Sequence, residues 1–400
     1  MAQPQPGDPG STTTGEAHVR QRIDSYADQL QAAGAIRSAA VERAFRIVER
    51  HRLLETFHTG PPDFTLVHYD PEHPTQEHLE VIYADDALGT RFIDGMPASS
   101  TSQPSLVAEM LELLDLLPGM RVLEIGAGTG YNAALMAELV GDQPLVVTID
   151  VLDDVVAQTR RLLARAGYPD IAVLVGDGVE GAPERAPFDR IVATVGCSDL
   201  SPRWAEQLAE GGRILVPLEH AGGHPLVLLH KQHGRLQGQV ACWSGFMPVR
   251  GPLHLEGLWP VGVMQPDAHE PIHRRDPWPG FGAEGPPPGS ERSADEVDLH
   301  FYLSLRDRRA CWAPERVGLS DGPNGWAVAS PDGIRWWKAA DLAAELDRVH
   351  ADWLACGRPA LGDYQVAFIP IDAGAMPPPG GWALDRRFFR ELVWLGKPSG

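Results

Sequence analysis

A glycine-rich loop followed by an isolated acidic residue is the part of the sequence best suited to chemistry. Gly126-Ala127-Gly128-Thr129-Gly130 comes directly after an apolar run that ends at Ile125. Glycines let the backbone turn sharply and approach a ligand closely, and a helix that begins there offers free N–H groups. Asp150 lies 20 residues after Gly130, where a carboxylate can accept hydrogen bonds from both hydroxyls of a ribose. The pattern indicates a nucleoside-containing cofactor.

The residue after the loop, Tyr131, distinguishes between the candidate cofactors. A dinucleotide fingerprint needs a glycine where this chain has Tyr131, so NAD and FAD are disfavoured. S-adenosylmethionine has no pyrophosphate, so the loop need only pass beside its methionine part, with Glu124 near the sulfonium. Asp177 could hydrogen-bond an adenine amino group, although Asp177-Gly178 in isolation is also an ordinary turn pair. The residues predicted to contact S-adenosylmethionine are Glu124, Gly126, Ala127, Gly128, Gly130, Asp150, Val151, Asp177, Gly178 and Thr194.

An alternation of strands and helices positions these residues. The hydrophobic pattern predicts strands over 121–125, 145–150, 171–175, 188–195, 213–217 and 226–230, and helices over 132–140, 153–166 and 202–209. Strands separated by helices of this length imply right-handed crossovers. The predicted fold is therefore α/β, with a doubly wound, mostly parallel, Rossmann-like sheet.

The regions on either side have different patterns. Apolar residues at helical spacing between His18 and His58 predict two amphipathic helices with a break at 33–35, followed by a short strand over 79–83. Ten of the eleven tryptophans lie beyond residue 239, which indicates a smaller α+β appendage. Within it we predict a hairpin around 330–333, a helix over 339–354, a strand over 365–371 and a terminal helix over 385–393.

Composition excludes several classes of partner. With 54 acidic and 34 basic side chains the net charge is −20, which argues against nucleic-acid binding because phosphates are held by Lys and Arg. The sequence contains no apolar stretch of about 18 residues, so no membrane-spanning helix is predicted. Four separated cysteines give neither a disulfide framework nor a thiolate zinc site, and His220 and His224 lack a third metal ligand nearby. Without a signal-peptide pattern at the start, a cytoplasmic protein without a metal is predicted.

Several segments together resemble the protein-L-isoaspartate O-methyltransferases. They are Tyr83-Ala84-Asp85-Asp86-Ala87-Leu88, Ser102-Gln103-Pro104 with the residues to 111, Pro118-Gly119 with the residues to 134, Gly176-Asp177-Gly178, 186–189 and 211–217. The likeness covers about residues 20–252, and its first two segments are not shared by methyltransferases generally. The resemblance implies a class I methyltransferase fold that uses S-adenosylmethionine, released as S-adenosylhomocysteine. The methyl group would esterify an aspartyl or isoaspartyl carboxylate, and the ester would collapse to a succinimide.

The serine-rich segment Ser99-Ser100-Thr101-Ser102 departs from the family pattern, which reads Gln-Thr-Ile-Ser. Ser102 matches the family's active-site hydroxyl, and Ser100 replaces a threonine, so Ser102, Thr101 and Ser100 are the candidate catalytic residues. With a C-terminal extension, this segment resembles homologues that modify ribosomally made peptides such as graspetides and lanthipeptides. The implied substrate is an Asp-containing precursor peptide, cyclised first by another enzyme, with aspartimide or isoaspartate as the product.

Two other functions stay open: general repair of isoaspartyl proteins, and a catalytically inactive binding protein on the same fold. An acidic substrate would require a local cationic surface, and Trp336 and Trp337 could form a peptide platform, although they could equally pack a core. The candidate cationic clusters are Arg306, Arg308 and Arg309, or Arg386, Arg387 and Arg390.

The expected division of the chain is a disordered N-terminus (1–17), a methyltransferase domain (18–252), a Pro/Gly-rich linker (253–297) and a C-terminal substrate-recognition domain (298–400).

Overall fold

A computed structural model describes residues 9–59, 65–93, 96–259, 270–283, 293–313 and 316–396. The chain forms two compact units, residues 1–176 and 177–400, so its division does not fall at the boundary near residue 252 expected from composition. Residues 1–8 of the expected disordered terminus, and 260–269 and 284–292 of the expected linker, lie outside the described residues. No described helix has the length and apolarity that crossing a membrane requires.

The first unit contains six helices and seven strands among its described residues. The helices are α1 Pro9–Ala32, α2 Ala39–Ile47, α3 Gln76–Ile82, α4 Pro104–Leu114, α5 Tyr131–Val140 and α6 Asp153–Arg165. The strands are β1 Thr56–His58, β2 Leu66–His68, β3 Leu88–Ile93, β4 Met96–Thr101, β5 Val122–Ile125, β6 Val146–Asp150 and β7 Ala172–Val175. Strands β5, β6 and β7 are parallel neighbours, and a separate antiparallel sheet has the order β2-β1-β3-β4.

The crossovers in this unit confirm the predicted α/β alternation. Every residue of β5 is buried, as expected of a parallel strand covered on both faces. Helices α1 and α2 confirm the predicted N-terminal pair, and α1 begins at Pro9, before the expected start at His18. The predicted strand over 79–83 is wrong, because most of it belongs to helix α3, whose first turn is capped by the Thr75 side chain. Leu79 and Ile82 are three residues apart, so both are buried on one face of this helix.

The second unit is richer in strands. Its helices are α7 Pro202–Gln207, α8 Ala294–Arg306 and α9 Ala340–Ala355. Its strands are β8 Phe188–Ala193, β9 Leu208–Pro217, β10 Leu226–Gln232, β11 Arg235–Cys242, β12 His273–Arg275, β13 Ala310–Ala313, β14 Arg316–Ser320, β15 Trp326–Ser330, β16 Gly333–Trp337, β17 Tyr364–Pro370, β18 Trp382–Asp385 and β19 Phe389–Leu395. Strands β8 and β9 are parallel, and the sheet continues antiparallel as β9-β10-β11-β17-β19-β18.

The C-terminal region divides between two sheets. Strands β12 to β16 form a five-stranded antiparallel sheet, in which β15 and β16 confirm the predicted hairpin; helix α9 and strand β17 are confirmed as well. The predicted terminal helix over 385–393 is wrong, because β19 pairs with β17 along its whole length, with Val393 opposite Val366. Strand β17 also pairs with β11, so these last strands extend the sheet of the preceding segment.

Candidate active site

The glycine loop lies between β5 and α5, as predicted. Gly126, Gly128 and Gly130 have φ angles of 102°, 50° and 82°, in the region that favours glycine. A Cβ atom on Gly128 would lie 3.0 Å from the carbonyl oxygen of Ser100, and one on Gly130 would lie 2.8 Å from Leu163 Cγ. The loop is therefore closed in by the serine segment at one glycine and by helix α6 at another, and a side chain fits at neither.

Asp150 ends strand β6 and is tied to this loop. One carboxylate oxygen accepts a hydrogen bond from the backbone N–H of Ala127 (3.2 Å), and the other accepts from the N–H of Leu152 (3.1 Å). The half-buried carboxylate keeps acceptor capacity, because its two oxygens offer about four lone-pair sites. The structure brings Asp150 and the loop together in an arrangement that fits a ribose diol, while the adjoining Val151 is exposed.

Glu124 is a buried carboxylate with an unpaired oxygen. Its side chain is 1% exposed; Oε1 accepts a hydrogen bond from Asn132 Nδ2 at 2.7 Å, and Oε2 has no partner in the described part of the chain. Burial raises the pKa of Glu124 to about 7, against the opposing effects of the Asn132 hydrogen bond and of the neighbouring Thr148 hydroxyl. An unpaired buried carboxylate oxygen suits a cationic ligand, as expected for a residue near a sulfonium or ammonium group.

The serine segment is strand β4 and the turn into α4. Its side chains alternate: Ser99 and Thr101 are buried, whereas Ser100 and Ser102 are half-buried. Thr101 Oγ1 has no hydrogen-bond partner among the described atoms. Ser100 and Ser102 thus have the access to a ligand that the predicted catalytic role requires, and Thr101 has an unsatisfied hydroxyl.

Asp85 fixes the turn after Ser102, a role that the sequence analysis missed. Asp85 Oδ1 accepts the N–H of Ser105 at 2.7 Å, and Oδ2 accepts Gln103 Nε2 at 3.3 Å. The carboxylate thereby satisfies a free N–H at the start of α4. This contact gives a physical reason for the co-occurrence of the Tyr-Ala-Asp-Asp and Ser-Gln-Pro segments, which was the available sequence signal.

Arg50 was also missed. It is fully buried, and its Nη2 donates to the carbonyl of Ser102 at 3.0 Å. In the sequence it stands in Arg50-His51-Arg52, a basic run of the kind that usually forms a solvated face. No local signal distinguishes it from Arg52, which is partly exposed and ion-paired with Glu72.

Asp177, Gly178 and Thr194 belong to the second unit. Asp177 Oδ1 accepts the N–H of Val179 at 3.0 Å and caps a short 3₁₀ turn, which agrees with either interpretation of the Asp-Gly pair. A Cβ atom on Gly251, which has a φ of 81°, would lie 2.7 Å from Asp177 Oδ2. Thr194 directly follows β8. The cofactor contacts of these three residues stay predictions.

The candidate substrate-binding clusters differ from expectation. Arg386 is 5% exposed and hydrogen-bonded to Glu391, so it offers no cationic surface. Trp337 is 3% exposed and clusters with Trp326, which makes it a core residue, whereas the half-buried Trp336 stacks on His273. Other arginines of the two clusters form ion pairs: Arg306 with Asp352, Arg309 with Asp307 and Arg390 with Asp385.

The family profile and the curated relatives point to the same family. The profile of the family described as Protein-L-isoaspartate(D-aspartate) O-methyltransferase matches residues 22–252. The protein-L-isoaspartate O-methyltransferase of Pyrococcus horikoshii is 33% identical over 240 residues, 59% of this chain and 96% of that protein. The enzyme of that name from Thermotoga maritima is 39% identical over 177 residues, 44% of this chain and 56% of that protein. A solved structure named protein-L-isoaspartate O-methyltransferase has a TM-score of 0.52 and 26% identity, covering 86% of this chain and 96% of its own, which confirms the class I methyltransferase fold.

Proposed function

We propose, from the premise that this chain belongs to the protein-L-isoaspartate O-methyltransferase family, that it methylates aspartyl or isoaspartyl carboxylates in proteins or peptides with S-adenosylmethionine as the donor. The observation that carries the proposal is the close approach of the glycine loop to the serine segment, where a Cβ atom on Gly128 would lie 3.0 Å from the Ser100 carbonyl. A loop that passes beside the donor then lies next to hydroxyls that can hold the acceptor.

The chain's own residues need only to bind and align. An aspartyl carboxylate has an unperturbed pKa of about 3.9, so at neutral pH it is ionised and needs no general base. When bound beside Asp150 and the loop 126–130, S-adenosylmethionine would supply an electrophilic methyl group for displacement by the carboxylate oxygen, with the neutral thioether as the leaving group. Ser102 donates a hydrogen bond to the carboxylate oxygen that does not attack, which fixes its orientation without protonating the nucleophile. Such positioning can lower the activation free energy by several kcal/mol.

Replacing Ser102 by alanine should slow methylation while leaving cofactor affinity near normal. We expect a loss of about tenfold or more in kcat, since a hydrogen bond to an ionised carboxylate contributes about 1.5–3 kcal/mol. Steady-state methylation of an isoaspartyl peptide, with calorimetric titration of S-adenosylmethionine, measures both quantities. Ser25→Ala is the matched control, because the half-buried Ser25 lies on α1 and its hydroxyl accepts a hydrogen bond from Gln29 Nε2 at 3.3 Å. Full activity in Ser102→Ala would remove Ser102 from the mechanism.

Cofactor binding should strengthen as the pH rises through 7. In the free protein, burial raises the pKa of Glu124 to about 7, and a cationic donor favours the ionised form. We therefore expect the affinity for S-adenosylmethionine to increase as the pH rises to about 7 and to level off above it, with proton release on binding over the rising part. Without ligand, protonated Glu124 contributes to the free energy of unfolding. This contribution is fully present below the ordinary pKa of 4.5 and is lost as the pH rises through 7.

Calorimetry over this pH range, in buffers of different ionisation enthalpy, measures the effect. Glu124→Gln should make the affinity independent of pH, whereas Glu77→Gln, on an exposed position of α3, should behave as the wild type. A pH-dependent affinity that persists in Glu124→Gln would assign the titration to another group.

A dedicated peptide substrate is the second candidate function. The serine-rich segment Ser99–Ser102, with the unpaired hydroxyl of Thr101, favours an Asp-containing precursor peptide and an aspartimide product. The C-terminal region does not distinguish a dedicated peptide enzyme from a repair enzyme, because the match to a solved structure named protein-L-isoaspartate O-methyltransferase covers 86% of this chain. Short unrelated isoaspartyl peptides should be methylated by a repair enzyme and ignored by a dedicated one. Mass spectrometry of a cyclised precursor would show the gain of one methyl group or the loss of one water. A chain that binds no S-adenosylmethionine would instead be a binding protein.

A further inference from the structure

Arg50 is a buried cation directly behind the serine segment. It begins the 3₁₀ turn Arg50–Leu53 after helix α2, and its side chain is 0% exposed. Its guanidinium carbon lies 5.7 Å from the centre of the Tyr131 ring. Tyr131 is the first residue of α5, immediately after the glycine loop, so Arg50 lies near both the candidate donor loop and the candidate acceptor segment.

The guanidinium is held by backbone carbonyls. Nη1 donates to the carbonyls of Ile82 (2.7 Å) and Ala84 (3.3 Å). Nη2 donates to those of Asp86 and Ser102, both at 3.0 Å. The planar fork of an arginine suits such a set of fixed acceptors, and it connects the turn after α3 to the turn in which Ser102 lies. Because the C=O and N–H of a trans peptide point in opposite directions, the bond to Ser102 also aims the N–H of Gln103 away from Arg50.

No carboxylate neutralises this charge among the ion pairs and hydrogen bonds of the described residues. Two arginines of the same region differ in this respect: Arg46 pairs with Glu42 at 2.9 Å and Arg52 with Glu72 at 2.8 Å. An unpaired buried cation is costly to fold. In a chain with a net charge of −20, such a cation provides local attraction for an anion that the protein as a whole repels.

We propose that Arg50 is a positioning residue for methyl transfer: it fixes the Ser102 turn through the carbonyl bond, and its unneutralised charge attracts the substrate carboxylate to that turn. This inference rests on the proposed function. Acting through the Ser102 peptide and not by direct contact, the charge raises substrate affinity without forming an ion pair that would reduce the nucleophilicity of the attacking oxygen.

Two variants separate charge from hydrogen bonding. Arg50→Gln keeps donors for the carbonyls but removes the charge, and Arg50→Lys keeps the charge with fewer, less well-directed donors. Arg52→Met is the matched control for the loss of one positive charge. The measurements are kcat and KM for an isoaspartyl peptide, the inhibition constant of the same peptide with a carboxamide in place of the carboxylate, and the affinity for S-adenosylmethionine.

In Arg50→Gln we expect KM for the carboxylate peptide to rise about tenfold or more, with the carboxamide inhibition constant and cofactor affinity changed less than about twofold. In Arg50→Lys we expect the preference for carboxylate over carboxamide to persist while kcat falls about tenfold, because Ser102 is held less firmly. Arg52→Met should match the wild type in all four quantities.

Equal weakening of carboxylate and carboxamide peptides in Arg50→Gln would overturn the inference, because a merely structural residue has no reason to distinguish them. If Arg50→Gln does not fold, Arg50→Lys decides. A persisting carboxylate preference with a lower kcat in Arg50→Lys would support the inference. Loss of that preference, or an unchanged kcat, would overturn the inference. Wild-type protein that binds no S-adenosylmethionine and methylates no aspartyl or isoaspartyl carboxylate would instead refute the proposed function.

Discussion

Arg386→Met is expected to lower the free energy of unfolding by about 3–5 kcal/mol, because it leaves the buried Glu391 without its cation. Arg386 Nε and Nη2 donate to Glu391 Oε2 at 3.0 and 2.7 Å, and Nη1 donates to the carbonyl of Ser198 at 2.6 Å. Both Glu391 and its neighbour His220 are 0% exposed, and His220 Nε2 lies 3.2 Å from Glu391 Oε1. Although burial by itself raises the pKa of Glu391, Arg386 and His220 outweigh it and lower the pKa to about 2.

Denaturant titration measures this loss. Arg387→Met is the matched control, since Arg387 is exposed and donates to the carbonyl of Pro252, and the stability of this variant should stay within about 0.5 kcal/mol of wild type. The double variant Arg386→Met/Glu391→Met should recover part of the stability, because it removes the uncompensated charge. A single Arg386→Met variant as stable as the control would show that the buried pair is not coupled to folding.

Asp150→Ala is expected to weaken the binding of S-adenosylmethionine by about 1.5–3 kcal/mol through the loss of charge-assisted hydrogen bonds, which corresponds to about 10- to 150-fold in Kd. The variant also releases the N–H of Ala127, which Asp150 holds at 3.2 Å, so the loop loses an anchor. Isothermal titration measures the affinity directly.

Asp153→Ala controls for the loss of a nearby negative charge, because Asp153 is exposed in the first turn of α6. Its Kd should stay within about threefold of wild type, the effect expected of one exposed charge at a helix end. Asp150→Asn, which keeps an acceptor, should fall between the wild type and Asp150→Ala. Unchanged affinity in Asp150→Ala would remove Asp150 from the cofactor site.

The position of the last strands changes how the C-terminal region can be tested. Deleting residues 253–400 would remove β17, which pairs with β11 over Leu236–Gln239, and also Arg386, which holds the carbonyls of Ser198 and Glu219. The deletion exposes a sheet edge and buried polar groups in the remaining protein. Loss of activity after this truncation would therefore report unfolding, and point variants are the appropriate probes of substrate recognition.

The sequence by itself determined the α/β alternation, the glycine loop between β5 and α5, and the placement of Asp150 at the end of β6. These features follow from local causes: hydrophobic periodicity, the conformational freedom of glycine, and the fixed length of a strand–helix–strand unit. The resemblance of several segments between residues 83 and 217 to one family added the expected reaction, and the profile of that family matches residues 22–252.

Only the tertiary structure decided the surroundings of those residues. Arg50 is buried against the carbonyl of Ser102, 52 residues away, and Asp85 holds the N–H of Ser105 across 20 residues. Residues 389–393 lie in strand β19 and not in a helix because β17 provides their hydrogen-bonding partner. Local periodicity carries no information about such distant partners, since the free energy that decides between a solvated and a buried arginine comes from groups far away in the chain.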